Sequence, residues 1–195
     1  MSTTIETEVC KPALPPVLAV GQELVTYFTE LEIQDRIAAM AAEINNCYSN
    51  VNELTLVVVM NGAFMFASDL MKQLSMPCNV EFIRLASYGN STQSSGSVKA
   101  VDLSLPDLGG KHVLIVEDII DTGLTLHFFK EYLSSLHKTQ SLKVAVLLDK
   151  TEKRQKQIMT DFVGFTVGNE FLVGYGLDFA GYCRNLPFIG AVHKA

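Results

Sequence analysis

Residues 113–125, VLIVEDIIDTGLT, constrain the fold more than any other part of the chain. An aliphatic, β-branched run without polar alternation is a strand covered on both faces, as in parallel sheets. It ends in Glu117 and Asp118, two isoleucines and a third acid, Asp121, and then Thr-Gly-Leu-Thr opens a helix that extends to about residue 137. The next apolar run, 143–149, supplies another strand, so strand, loop, helix and strand follow one another as a βαβ unit. The fold class is therefore α/β: an open, mostly parallel twisted sheet flanked by helices.

The remaining elements extend that pattern. Apolar residues at Ile33, Ile37, Met40, Ala41, Ile44 and Tyr48 recur at helical spacing and predict an amphipathic helix over 31–48 that packs on the sheet. The run 54–60 (LTLVVVM) is a second doubly covered strand; Asn61-Gly62-Ala63 breaks it, and 64–74 reads as a helix. A strand over 79–87 leads into the polar stretch 89–97 (GNSTQSSGS), which has little to bury and reads as a mobile loop. With a returning strand over 98–105 it makes a flexible two-stranded flap. Pro12, Pro15 and Pro16 make residues 1–20 an arm or lid edge. Glycines interrupt short apolar runs at 161–167, 171–175 and 188–192, and the final segment reads as a cap of short strands.

Composition bounds the rest. A chain of 195 residues that is 48% hydrophobic can bury a sizeable core, and two domains would leave fewer than about 100 residues each. We therefore expect one domain over 1–195, with its core at about 30–150 and a cap from about 1–20 and 155–195. A net charge of −6 argues against a broad nucleic-acid surface, which needs clustered Lys and Arg to displace counterions. Cys10, Cys47, Cys78 and Cys183 form no CxxC pair, so they read as free thiols in a reducing compartment. No stretch approaches the roughly 18–20 apolar residues that cross a bilayer. A soluble cytoplasmic protein without a membrane partner is expected.

In an open α/β sheet, ligands sit beyond the carboxyl ends of the strands, where a following helix offers unpaired N–H groups and a positive dipole end. A phosphate therefore belongs on Thr122, Gly123, Leu124 and Thr125, with Gly123 allowing close approach of the backbone and the two hydroxyls adding donors. Glu117 and Asp118 would repel that phosphate at contact, so they suit sugar hydroxyls, with or without Mg²⁺ between. A sugar phosphate fits both features. The competing reading is that Asp121 or Thr122 merely caps a helix.

VLIVEDIIDTGLT resembles the phosphoribosyl pyrophosphate (PRPP) motif of the type I phosphoribosyltransferases, and the pattern through most of 30–192 resembles the hypoxanthine-guanine branch. The resemblance implies that fold, with its flexible loop, and transfer of ribose 5-phosphate from PRPP to a 6-oxopurine, giving IMP or GMP and pyrophosphate with Mg²⁺. Within it, Glu117 and Asp118 hold the ribose hydroxyls, residues 121–125 hold the 5′-phosphate, and Asp121 is the general base beside purine N7. Lys150, in LLDKTEKR, donates to purine O6; Phe171 stacks on the base; Leu172 offers backbone groups to its edge. Asp178, in GYGLD, completes a metal set with Glu117 and Asp118, and Arg184 meets pyrophosphate. Met60-Asn61-Gly62-Ala63 resembles the pyrophosphate loop, where a non-proline cis peptide is often found. Ser87-Tyr88-Gly89 resembles the start of the flexible catalytic loop. A homodimer or homotetramer acting on small molecules, without nucleic acid, is the implied assembly.

Two positions depart from the pattern: Asn61 stands where many relatives carry Lys, and Leu124 where some do. Taken alone, several of these residues have plainer readings. Phe171 reads as core, Lys150 as part of a solvated charge run with Lys153, Arg154 and Lys156, Asp178 as a cap, and Arg184 as a surface ion pair. The four histidines show no metal-ligand spacing. The alternative function is a PRPP-sensing regulator that binds nucleic acid on the same fold; a nucleotide-binding or flavodoxin-like module leaves the acids and the cap unexplained.

Overall fold

The structure, a computed structural model, describes residues 22–87, 98–102 and 105–194, with side chains over 22–85 and 105–193. The expected N-terminal arm, Tyr88 and the loop 89–97 lie outside the described residues, as does the side chain of Ser87.

Thirteen described elements succeed one another: β1 (Gln22–Phe28), α1 (Glu30–Cys47), β2 (Leu54–Met60), α2 (Phe64–Met71), β3 (Cys78–Ser87), β4 (Val98–Asp102), β5 (His112–Ile120), α3 (Leu124–Leu136), β6 (Ser141–Asp149), a 3₁₀ turn (Thr151–Lys153), β7 (Phe162–Thr166), β8 (Leu172–Val173) and β9 (Ile189–Lys194). The main sheet runs β4-β3-β2-β5-β6-β7. Five strands are parallel and β4 returns antiparallel along β3 at one edge. The smaller sheet, β1-β9-β8, is antiparallel. Among the described residues no helix is long and apolar enough to cross a membrane.

The unbroken apolar runs of β2, β5 and β6 are explained by helices on both faces. Leu56, Val58, Leu114 and Val116 face α1 and α2 through Ile33, Ile37, Met40, Phe66 and Leu70. Val57, Val59, Ile115, Val144 and Val146 face α3 through Leu126, Phe129 and Leu133. The α1 stripe is the one its spacing predicted, and the helix opens on a capping box: Glu32 N donates to Thr29 Oγ1 at 3.3 Å while Thr29 N donates to Glu32 Oε2 at 2.8 Å.

Three expectations change. Residues 161–167, placed in the cap, contain β7, a parallel edge strand of the main sheet beside β6. Their glycine and short length resembled the cap segments, but Phe162 joins the sheet core. The strand β1 was not anticipated at all, because its partner β9 lies at the far end of the chain and no local signal announces it. The helix expected over 64–74 stops at Met71.

Candidate functional site

The parallel strands deliver three loops to one end of the sheet. The first, after β2, holds the Met60–Asn61 peptide in the cis form that the resemblance led us to expect. Gly62 is required there by crowding: a Cβ on it would lie 1.6 Å from Asp118 Oδ2, so the first loop and the acids of β5 touch. The Arg84 guanidinium, on β3 opposite Met60 in the strand register, donates to Asn61 Oδ1 at 3.1 Å.

The second loop follows β5. Glu117 Oε2 is sealed from solvent with no hydrogen-bond partner among the described residues. Burial, and then the neighbouring charge of Asp118, push the Glu117 carboxyl well above its usual range. Asp118 is pushed from 3.8 to about 6, mainly by burial; backbone N–H groups and Arg184 oppose the rise, and Asp178 adds to it. Two raised acids side by side, one with an orphaned oxygen, form a place that wants hydroxyl donors or a cation. Beyond them, Gly123 caps α3 in a left-handed conformation, φ +79°, and its backbone is enclosed: a Cβ would meet Arg154 Cδ and Lys156 O, each at 2.9 Å. Thr122 Oγ1 accepts from Leu124 N at 3.4 Å. The carbonyl of Thr122 accepts from Gln155 N and Lys156 N, and Gly123, the residue that opens α3, supplies no side-chain cap. Asp121 is exposed, with Lys153 Nζ 4.0 Å from its Oδ1.

The third loop follows β6. Lys150 is buried, not solvated: its N donates to Ile120 O at 3.0 Å and its Nζ to Glu170 O at 2.8 Å. Burial, then the charge of Lys153, lowers its ammonium against the pull of Asp121 and Glu170. The next residue but one after that carbonyl acceptor's residue is Leu172, which is buried in β8 opposite Ala191. Phe171, between them, is 50% exposed and meets the Phe179 ring edge to face, centroids 5.4 Å apart. That exposure removes the core reading and leaves an aromatic face beside Lys150.

A turn from the C-terminal segment closes the site opposite Gly62. Asp178 Oδ2 accepts from Gly181 N at 2.8 Å, which bears out its capping role, and Arg184 Nη2 lies 2.7 Å from Asp178 Oδ1. The surface-pair reading of Arg184 is thus correct as geometry, yet its Nη1 also donates to Gly176 O at 2.7 Å and its charge reaches Asp118. Among the described residues no three His, Cys, Asp or Glu side chains come together as a metal cage. Glu117, Asp118 and Asp178, which the resemblance names together, offer only carboxylate oxygens. Their all-oxygen chemistry still fits Mg²⁺ arriving with substrate oxygens, since that ion keeps most of its ligands outside the protein.

Sequence reasoning missed four contributors: Arg84, Lys153, Arg154 and Gly176. Arg84 gave no signal, being one charge in a strand. Lys153 and Arg154 were read as a solvated face, because a charge run conceals which member turns inward. Gly176 was visible in GYG, yet its purpose is a contact with Gly62 O that only the fold reveals, where a Cβ would sit 2.1 Å away.

Residues 26–180 match the phosphoribosyl transferase domain family. The chain is 44% identical over 168 residues to the hypoxanthine-guanine phosphoribosyltransferase of Aquifex aeolicus strain VF5, covering 86% of this chain and 93% of that one. It is 42% identical over 167 residues to the enzyme of that name from Bacillus subtilis strain 168, covering 86% and 92%. Among solved structures, a hypoxanthine-guanine phosphoribosyltransferase from Bacillus anthracis superposes with a TM-score of 0.80 at 37% identity, over 88% of this chain and 99% of that one. A hypoxanthine phosphoribosyltransferase from Trypanosoma cruzi, solved as a ternary substrates complex, superposes with a TM-score of 0.81 at 38% identity, over 90% and 97%.

Proposed function

The chain belongs to the hypoxanthine-guanine phosphoribosyltransferases, within the phosphoribosyl transferase domain family, and from that membership we propose the following division of labour in its site. The enzyme is a purine salvage transferase: it joins a 6-oxopurine, hypoxanthine or guanine, to the ribose of PRPP through N9 and releases pyrophosphate. The relatives described above are named for this activity, which leaves the nucleic-acid-binding regulator without support.

The observation that carries the assignment of roles is the meeting of a buried acid pair with one unpartnered oxygen, a helix N-terminus without a side-chain cap and a buried lysine beside an exposed aromatic at one end of the sheet. The 5′-phosphate sits on the backbone and hydroxyls of 122–125. Glu117 and Asp118 accept from the ribose hydroxyls, which supply the donors that Glu117 Oε2 lacks. Phe171 stacks on the base, Leu172 pairs with its edge through the backbone, and Lys150 donates to O6. Adenine carries an amino group there and would set donor against donor. Asp121, an exposed acid whose charge reaches Lys150, takes the purine N7 proton as N9 attacks. Asn61, Gly62 and Arg184 line the pyrophosphate path. Asp118 and Asp178, together with substrate oxygens, would hold Mg²⁺, which when bound would supply positive charge to the departing pyrophosphate. Ser87 and Tyr88 begin the loop that excludes water. Action in the cytoplasm on small molecules, as a homodimer or homotetramer, completes the reading; the exposed apolar side chains Phe64, Met71 and Phe82 support self-association.

The test mixes protein, PRPP and Mg²⁺ with hypoxanthine, guanine, xanthine or adenine and follows nucleotide formation by absorbance. Turnover of 6-oxopurines but not adenine is expected. Asp121→Asn lowers kcat by about one to four decades with little change in the KM for PRPP, and Lys150→Ala raises the KM for purine far more than that for PRPP. Equal turnover by wild type and Asp121→Asn would refute the base.

A further inference from the structure

Tyr175 lies outside every role assigned above, yet it is among the most buried large side chains, 2% exposed, and it holds a backbone conformation few non-glycine residues adopt, φ +49°. It stands between Gly174 and Gly176, both at positive φ, in the turn that carries Asp178 and Arg184. Its N donates to Leu186 O at 2.9 Å and Gly176 N donates to Arg184 O at 3.0 Å, so the turn is laced from both sides. The side chain runs out of that turn to α2, where Tyr175 Oη donates to Asp69 Oδ2 at 2.6 Å. The acceptor is itself fixed: Gln34 Nε2 donates to Asp69 Oδ2 at 2.8 Å from α1, and Lys72 Nζ donates to Oδ1 at 2.9 Å. Burial raises the Asp69 carboxyl, but these three partners together bring it below its ordinary value, so at neutral pH it is a charged acceptor.

The other end of α2 is the 61–63 loop, where Gly62 O presses on Gly176. Two ties therefore join the same pair of segments, a backbone contact at Gly62 and a charge-assisted hydrogen bond at Asp69. The purine half is held by different means, through β6, β8 and β9.

We propose that Tyr175 is a positioning residue for the leaving group: docked on Asp69, it fixes the turn bearing Asp178 and Arg184 against the 61–63 loop and so sets the pyrophosphate half of the site separately from the purine half. This rests on the functional reading above. The conformational cost at Tyr175 is sustained because a hydroxyl presented from that turn reaches an acceptor on α2. Neither Tyr175 nor Asp69 touches substrate; both act through Asp178 and Arg184.

Calorimetric titration with Mg²⁺-pyrophosphate and, separately, with IMP tests the proposal without turnover. Tyr175→Phe and Asp69→Ala each weaken Mg²⁺-pyrophosphate by about 5- to 20-fold, as loss of a hydrogen bond to a charged group allows, while IMP affinity stays within about twofold. Asp69→Asn, whose amide oxygen still accepts from Tyr175, recovers most of the pyrophosphate affinity. Thermal melts confirm that each variant is folded, and having two independent disruptions keeps the question open to decision should one fail to fold. Unchanged pyrophosphate affinity in Tyr175→Phe, or an equal loss for both probes, overturns the positioning role alone. Wild-type protein that binds neither probe overturns the functional reading and this role with it.

Discussion

Asn61 stands in the proposed pyrophosphate loop where many relatives carry Lys, and a neighbouring strand brings an arginine to it. Arg84 Nη2 lies 3.1 Å from Asn61 Oδ1, on an exposed side chain that the register of β3 against β2 places beside Met60. A guanidinium there attracts the diphosphate without contributing to the core. Arg84→Gln accordingly raises the KM for PRPP by about 3- to 10-fold, leaves the KM for purine unchanged and shifts the melting temperature by less than a degree or so, in line with an exposed charge. Asp118 makes the opposite bargain with stability. Its carboxyl titrates near 6 in the folded protein against 3.8 ordinarily, so the fold holds that proton longer than the unfolded chain does. Stability from this group is present at low pH and is lost as pH rises from about 4 to about 6; above that, the deprotonated acid costs roughly 3 kcal/mol at 1.36 kcal/mol per pH unit. Asp118→Asn therefore raises the melting temperature of the metal-free protein by several degrees at pH 7.5 and by little at pH 4, while weakening PRPP binding. A gap of equal size at both pH values would show that burial of the charge is not the cause.

At the scale of elements, what the sequence disclosed was what local chemistry encodes. The β5 run, its two acids and the glycine before α3 gave the strand, loop and helix with Gly123 at its turn, and the 3.6-residue stripe gave α1, because each signal lies within one element. Lys150 and Phe171 were placed by resemblance and misread by composition: one buried and the other exposed, both against type. The assignment of residues 161–167 to the cap failed, and β1 went unforeseen, because a strand's sheet is a property of its partner. Gly62 lies between these cases. Its residue type said only that the chain turns, whereas the fold shows its Cα lying against the Asp118 carboxylate. Gly62→Ala must move either the 61–63 loop or Asp118. We expect a loss of at least about 100-fold in kcat/KM for PRPP, on the scale of displaced catalytic geometry, with a smaller fall in melting temperature. Wild-type kcat/KM in Gly62→Ala would mean that the two loops separate freely.

Across the whole molecule, the segment that follows β6 joins the start of α3 to the loop that carries Lys150. Arg154 and Asp149 pair there with side chains only 13% and 9% exposed. From that anchor the chain runs back over the phosphate loop, with Gln155 N and Lys156 N on Thr122 O and Arg154 Cδ against Gly123. One residue before the turn, Lys150 Nζ donates to Glu170 O, beside Phe171. A buried pair of this kind is weak evidence for stability, because the desolvation of two charges offsets their attraction, but removal of one partner strands the other. Arg154→Ala is therefore expected to destabilise by about 3–5 kcal/mol, or roughly 6–20 °C in a chain of this size. The double replacement Asp149→Leu with Arg154→Met restores most of that, since neither charge is left buried alone. It does not restore function: without the guanidinium stem behind Gly123 the phosphate loop loses its backing, and the KM for PRPP stays raised about tenfold, on the scale of one lost positioning contact. Melting curves and PRPP saturation on the single and double variants separate the two effects. A double variant that recovers both stability and KM would reduce the pair to a packing feature, whereas recovery of stability alone makes it the strut by which the sheet holds the sugar-phosphate and base ends of one substrate pair in register.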